Sequence, residues 1–147
     1  LSTASEFDLA DEFIIGMRIS FTEIANDVLI ASNSTNNNFI RIVDTDTINF
    51  KFSSGLGTID FTDGTDLGLG QKYSILIARN GSNVVSVYID GVLQDNTATQ
   101  AGTFKIDSLG VRATDTNDFV GSVYECVVYS KYEASTITEL NTRLNSL

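Results

Sequence analysis

The side chains best equipped for chemistry in this chain are oxygen donors. Asp115-Thr116-Asn117-Asp118 sets two carboxylates and an amide within four positions. Calcium takes six to eight oxygens from such groups, so Asp115 and Asp118 are the candidate calcium ligands. The same stretch also suits a solvated turn in which Asp and Asn bond their own backbone, and both readings stay open. Asp44 and Asp46, and Asp60, Asp63 and Asp66, are explained well enough as turn acids. Zinc has no cluster to bind, because the chain holds one cysteine and no histidine.

Catalysis finds little support among the same residues. A nucleophilic Ser or Cys normally leans on a histidine base, and there is none. Cys126 lies in the apolar run Val123 to Tyr129, where a thiol packs as a small hydrophobe. A sugar site is a better match. It needs an aromatic ring for the apolar face of the sugar and amides or carboxylates for its hydroxyls. The candidate ligand-binding residues are Asn36, Asn37, Tyr88, Asn96 and Asn117, with Tyr73, Tyr124, Tyr129 and Tyr132 as further rings. For every tyrosine the competing role is packing in the core or at its rim.

Charge narrows the partners. Nine Lys and Arg against 19 Asp and Glu give a formal charge of −10, and no basic cluster offers phosphates a footprint. Nucleic acid and membrane insertion are therefore excluded as expected partners; a glycan, a cell-surface ligand or neighbouring protein subunits remain. No apolar run approaches the roughly 18 residues of a membrane span. At 147 residues the chain is expected to be one domain, 1–147. It begins with Leu1 rather than Met, which suggests excision from a longer protein.

The elements that must position these groups read as strands. Phe13, Ile15, Met17, Ile19 and Phe21 alternate with Ile14, Gly16, Arg18 and Ser20, the period of a strand with one packed face. Val28–Ala31, Phe39–Val43 and Ile48–Phe52 follow, and a short strand over Thr58–Phe61 interrupts a Gly- and Asp-rich stretch. Tyr73 to Gly91 reads as a hairpin, with Asn80-Gly81 and Asp90-Gly91 supplying positive φ. Thr103–Ile106 and Ser108–Arg112 are expected as separate strand segments, and Phe119–Tyr129 as the last long strand. Only the tail is helical: Ile137, Leu140 and Leu144 share a face, and Thr136 with Glu139 fits a capping box. The pattern predicts an all-β fold, an antiparallel two-sheet jelly-roll sandwich with a short C-terminal helix.

Several motifs, in order, carry a family resemblance. They are Phe13 to Ile19, Val28-Leu29-Ile30-Ala31-Ser32, Ile48 to Phe52, Val87-Tyr88-Ile89-Asp90-Gly91, Leu109-Gly110, Phe119-Val120-Gly121 and the tail Ser135 to Leu140. Together they resemble laminin-G-like, concanavalin A-like lectin/glucanase jelly-roll domains, from about Phe7 to Leu140. The family often has a Trp near Tyr73, and this chain has none, so Tyr73 is expected to take its packing place. Glucanases of this type carry Glu-x-Asp-x-x-Glu, a pattern absent here. The resemblance therefore implies a recognition module rather than an enzyme, binding glycans or a cell surface, in an extracellular or virion-surface setting. Pentraxin-like members bind calcium near the position of Asp115 to Asp118, which implies calcium as the one candidate cofactor. The competing expectation is a structural virion or assembly domain without a sugar ligand; a glucanase-like hydrolase is the remote third.

Overall fold

The computed structural model describes residues 2–94, 97–112 and 117–147. Two antiparallel sheets form a sandwich. The first runs β1 (Ser2–Leu9), β11 (Phe104–Leu109), β3 (Val28–Ala31), β4 (Asn38–Ile42), β5 (Thr47–Phe52) and β6 (Ser54–Asp60). The second runs β10 (Ala98–Thr99), β8 (Val84–Ile89), β7 (Lys72–Arg79), β2 (Phe13–Phe21) and β12 (Gly121–Tyr129), with β9 (Val92–Leu93) beside β8. A single helix among the described residues, α1 (Ala134–Asn145), lies on the outer face of the second sheet. The jelly-roll sandwich expected from the alternation is what forms.

The period-two pattern decides which face is buried. Ile15, Met17, Ile19 and Phe21 of β2 meet Ile48, Phe50 and Phe52 of β5 across the interior. At one end Phe13, Phe52 and Phe104 cluster, with ring centroids 4.5 to 5.9 Å apart. Arg79 is fully buried beside them, its guanidinium 4.9 Å from the Phe13 ring. It donates to the carbonyls of Asp11, Leu9 and Gly102 at 2.5, 3.0 and 2.7 Å. That one cation ties the end of β1 and the turn after it to the loop at Gly102. Burial holds its pKa below the ordinary arginine value, with nearby Asp11 opposing the shift.

On the outside of the second sheet, Ile137, Leu140 and Leu144 of α1 seat on Ile14, Leu76 and Ala78. Gly16 lies beneath Leu140, in space that a Cβ would fill. Arg18 ties the helix end down, donating to Asn145 Oδ1 at 3.1 Å and Ser74 Oγ at 3.1 Å.

The structure corrects several details. The helix begins at Ala134, with Glu133 as N-cap and no side-chain capping bond. Thr136 and Glu139 therefore sit inside the helix rather than forming its capping box. Thr103–Ile106 and Ser108–Arg112 merge into the single strand β11, and β6 is longer than the expected short strand. Asp90 and Gly91 do take positive φ, 48° and 88°, whereas at the other turn the positive φ falls on Asn83 (61°) instead of Asn80-Gly81. Asn80 acts through its side chain, accepting from the amides of Ser82 and Val84 at 3.0 Å each.

Strand β1 brings a pH dependence. Glu6 accepts from Ser32 Oγ at 2.5 Å and Ser34 Oγ at 2.9 Å, and Lys105 Nζ lies 3.4 Å away. These bonds, Ser32's first, hold its pKa below the ordinary glutamate value of 4.5. A depressed folded-state pKa contributes stability that is present above the unfolded-state value and is lost as pH falls through the folded one. Glu6→Gln should therefore flatten the loss of stability below about pH 4.5, measured by urea unfolding against pH. An unchanged acid limb would refute this role.

Candidate functional site

The five tyrosines separate by environment. Tyr73 is buried, its hydroxyl accepting from the Gly68 amide at 2.6 Å and its ring 6.5 Å from Phe21. Tyr88 is half-buried against the helix-covered cluster, as is Tyr132. Burial, with Tyr132 adding to it, raises the pKa of the Tyr88 phenol. Tyr124 and Tyr129 are the exposed pair, at 48% and 40%.

Both exposed rings belong to β12, an edge strand whose sole partner among the described strands is β2. Register places Glu125 opposite Arg18 and Tyr129 opposite Ile14, so these side chains share the outer face with α1. Strict alternation would turn Tyr124 inward with Cys126. A bulge between Val123 and Glu125 interrupts the register and swings Tyr124 outward, where its hydroxyl lies 3.5 Å from Ser20 Oγ. The two rings are thus on one face, roughly 15 Å apart along the strand.

Between β12 and the helix runs a shallow groove of about 140 Å³ lined by Tyr129, Thr136, Glu139, Leu140 and Arg143. The helical spacing that buries Leu140 turns Thr136, Glu139 and Arg143 toward β12, one and two turns apart. Arg143 pairs with Glu125, whose side chain is largely covered. Further along the strand Lys72 Nζ sits 4.2 Å from the centre of the Tyr124 ring and donates to the Leu147 carbonyl at 2.7 Å. The groove thus offers an apolar ring, a hydroxyl, a free-standing carboxylate and a guanidinium on a firm sheet. That set can pack a sugar face and bond its hydroxyls.

The residues singled out from the sequence do not form one site. Asn36 and Asn37 are exposed in the loop after Ala31, where the Asn37 carbonyl accepts from the Ser53 amide at 2.9 Å. Asn117 lies beyond the opposite end of β3, its carbonyl accepting from the Val28 amide at 3.0 Å. Asp118 runs beside Val28 with its side chain exposed. A four-residue strand, roughly 13 Å, separates these two groups. Tyr88 sits against the helix-covered face, remote from both. Asn96 and Asp115 lie outside the described residues. Among the described residues no three His, Cys, Asp or Glu side chains gather as a metal-ligand set. Cys126 packs against the core, and burial pushes its thiol pKa up to about 11, which leaves it protonated at neutral pH.

Comparison with known proteins places the fold. A family model described as the concanavalin A-like lectin/glucanases superfamily matches residues 5–136. No curated protein sequence matches the chain. Among solved structures, the CBM40 domain of the Ruminococcus gnavus IT-sialidase, bound to α2,3-sialyllactose, superposes with a TM-score of 0.66 at 15% identity. That match covers 98% of this chain and 94% of the other. Domain 4 of AbnA, a GH43 extracellular arabinanase from Geobacillus stearothermophilus, in complex with arabinotriose, gives 0.63 at 17% identity, over 89% of this chain and 66% of that one. The binding domain of botulinum neurotoxin serotype G gives 0.62 at 16% identity. There the chain, covered over 95% of its length, spans 37% of the relative. At these identities the likeness is one of fold. The family match over most of the sequence, on the sandwich just described, means that the chain belongs to the concanavalin A-like lectin/glucanases superfamily.

Proposed function

We propose that this chain is a non-catalytic carbohydrate-binding module whose ligand lies in the groove between β12 and α1. The observation that carries the reading is the placement of exposed Tyr129 in one groove with Thr136, Glu139 and Arg143, with exposed Tyr124 further along the same face. The similar folds seen with sialyllactose and arabinotriose support a glycan as the ligand class. The setting we favour is extracellular or on a virion surface, where repeated display raises a weak affinity per site.

A glycan array probed with the purified chain tests the reading. Binding to one group of glycans, weakened about tenfold by Tyr129→Ala, is the expected result, since a stacked ring is worth roughly 1 kcal/mol beyond its buried area. Binding that Tyr129→Ala leaves unchanged would remove the groove from the account.

A second reading has its own observation. Phe7, Val123 and Val128 are exposed at 56%, 38% and 40%, although their register faces them toward the interior. β6 and β10 approach each other on one side of the sandwich, and β1 and β12 are the edge strands of the two sheets on the other. That apolar seam suits assembly with neighbouring subunits, and a blank array together with a concentration-dependent oligomer in light scattering would favour it.

A further inference from the structure

Among the described strands, three of the four sheet edges are blunted against pairing with another chain, and β12 is not. A sheet edge presents unpaired amides and carbonyls, and proteins protect it with charges, prolines, irregular backbone or very short strands. β1 carries Glu6 and Asp8 and breaks register between Ser2 and Phe7. β6 holds Gly55 and Gly57 and breaks register against β5. β10 and β9, which share the third edge, are two residues each. β12 runs for nine residues with neither Lys nor Pro, and its one charge, Glu125, is already paired with Arg143. Its bulge falls between Val123 and Glu125 and leaves Glu125 to Tyr129 in regular register with β2. No residue of β12 is fully buried, and Val123, Tyr124, Val128 and Tyr129 are 38% to 48% exposed.

We propose that β12 pairs antiparallel with β12 of a second copy, about a two-fold axis through Val127, and so joins the two helix-bearing sheets into one. Identical antiparallel strands are self-complementary about such an axis, and this register suits the residues on both faces. Cys126 and Val128 lie opposite Met17 and Ile15 on the inner face. There Cys126 meets Val128 of the partner subunit, and the reverse, apolar against apolar. On the outer face Val127 meets its own copy, and Glu125 meets Tyr129 of the partner subunit. An axis through Glu125 would set like charges in opposition, and one through Cys126 would run the pairing into the bulge. The pairing supplies backbone partners along the free side of the strand and covers exposed Val128. Because the axis stands perpendicular to the sheet, both α1 helices end on the same outer face. α1 lies over β2 and β7, so the two helix axes are four strand spacings, about 19 Å, apart. The two grooves then open toward each other as one trough floored by Tyr129 of both copies. The trough rests on the glycan reading; the pairing does not.

The test is sedimentation velocity of the purified chain without sugar, in about 0.5 M sodium chloride so that the formal −10 on each copy is screened. The mass should rise from that of a 15.9 kDa monomer toward twice that value between roughly 1 and 100 µM. Val128→Lys, at an exposed position, should weaken the association about tenfold or more, since it places a charge in the paired edge. Val127→Cys in a Cys126→Ala background serves as the test should Val128→Lys fail to fold. Facing strand residues lie about 4.5–5.5 Å apart, within reach of a disulfide, so mild oxidation should give a covalent dimer. Ser122→Cys in the same background should not cross-link. A chain that stays monomeric up to about 1 mM, a dimer that Val128→Lys leaves intact, or one that cross-links equally through Ser122→Cys would overturn the proposal. A dimer with the expected cross-link and a blank glycan array would uphold the pairing and remove only the trough.

Discussion

Arg79→Met is expected to destabilise the chain by about 3 kcal/mol or more. Methionine can fill the apolar space beside Phe13 and Phe52, so packing is not the main loss. What goes is the guanidinium that donates to the carbonyls of Leu9 and Asp11 on one stretch and of Gly102 on another. The Leu9 carbonyl lies in a buried contact, where water cannot replace the guanidinium, and each unsatisfied buried acceptor costs about 1–3 kcal/mol. Arg79→Lys should fall between, since one ammonium cannot fork to three carbonyls at once. Equilibrium urea unfolding measures both. A cost below about 1 kcal/mol for Arg79→Met would show that the loops hold without the clamp.

Gly121→Ala should cost on the order of 3 kcal/mol, the top of the usual range for overpacking. A Cβ at Gly121 would meet the carbonyl oxygen of Ser20 on the neighbouring strand, with the Phe119 ring behind it. Backbone cannot swing aside as a side chain can, so β12 would have to part from β2 at Gly121–Phe21. Gly16→Ala makes a useful contrast, because there the obstacle is the side chain of Leu140, which has rotamers to use. Gly121→Ala should also weaken glycan binding, because it loosens the strand that carries Tyr124 and Tyr129. Unfolding curves superposable on those of the parent would contradict the close approach.

Much of the sandwich was legible because burial and alternation coincide. Phe13 to Phe21 and Ile48 to Phe52 announce their inner faces, and the interior is built from those residues. Strand β1 was not legible: Ser2 to Leu9 is mostly polar, and it becomes a strand through its pairing with β11 about a hundred residues away. The capping box failed because tertiary seating of Leu140 and Leu144, rather than a local cap, starts the helix earlier.

The site was less legible than the fold, for three separable reasons. Alternation says that Tyr88 leaves the core, but not that the helix packs against the face it reaches. Tyr124 owes its direction to a bulge, which no local residue pattern marked. Asn36 and Asn37 satisfy the expectation of exposed amides, yet they lie at the opposite end of the sandwich from Asn117.

The central claim is that a glycan occupies the groove between β12 and α1. Calorimetric titration of the best array ligand into the parent chain and into Tyr129→Ala tests it most directly. The account predicts saturable binding by the parent and about tenfold weaker binding by the variant, with the two unfolding at the same temperature. Equal affinity for both chains, or a ligand that releases no heat with either, would contradict it.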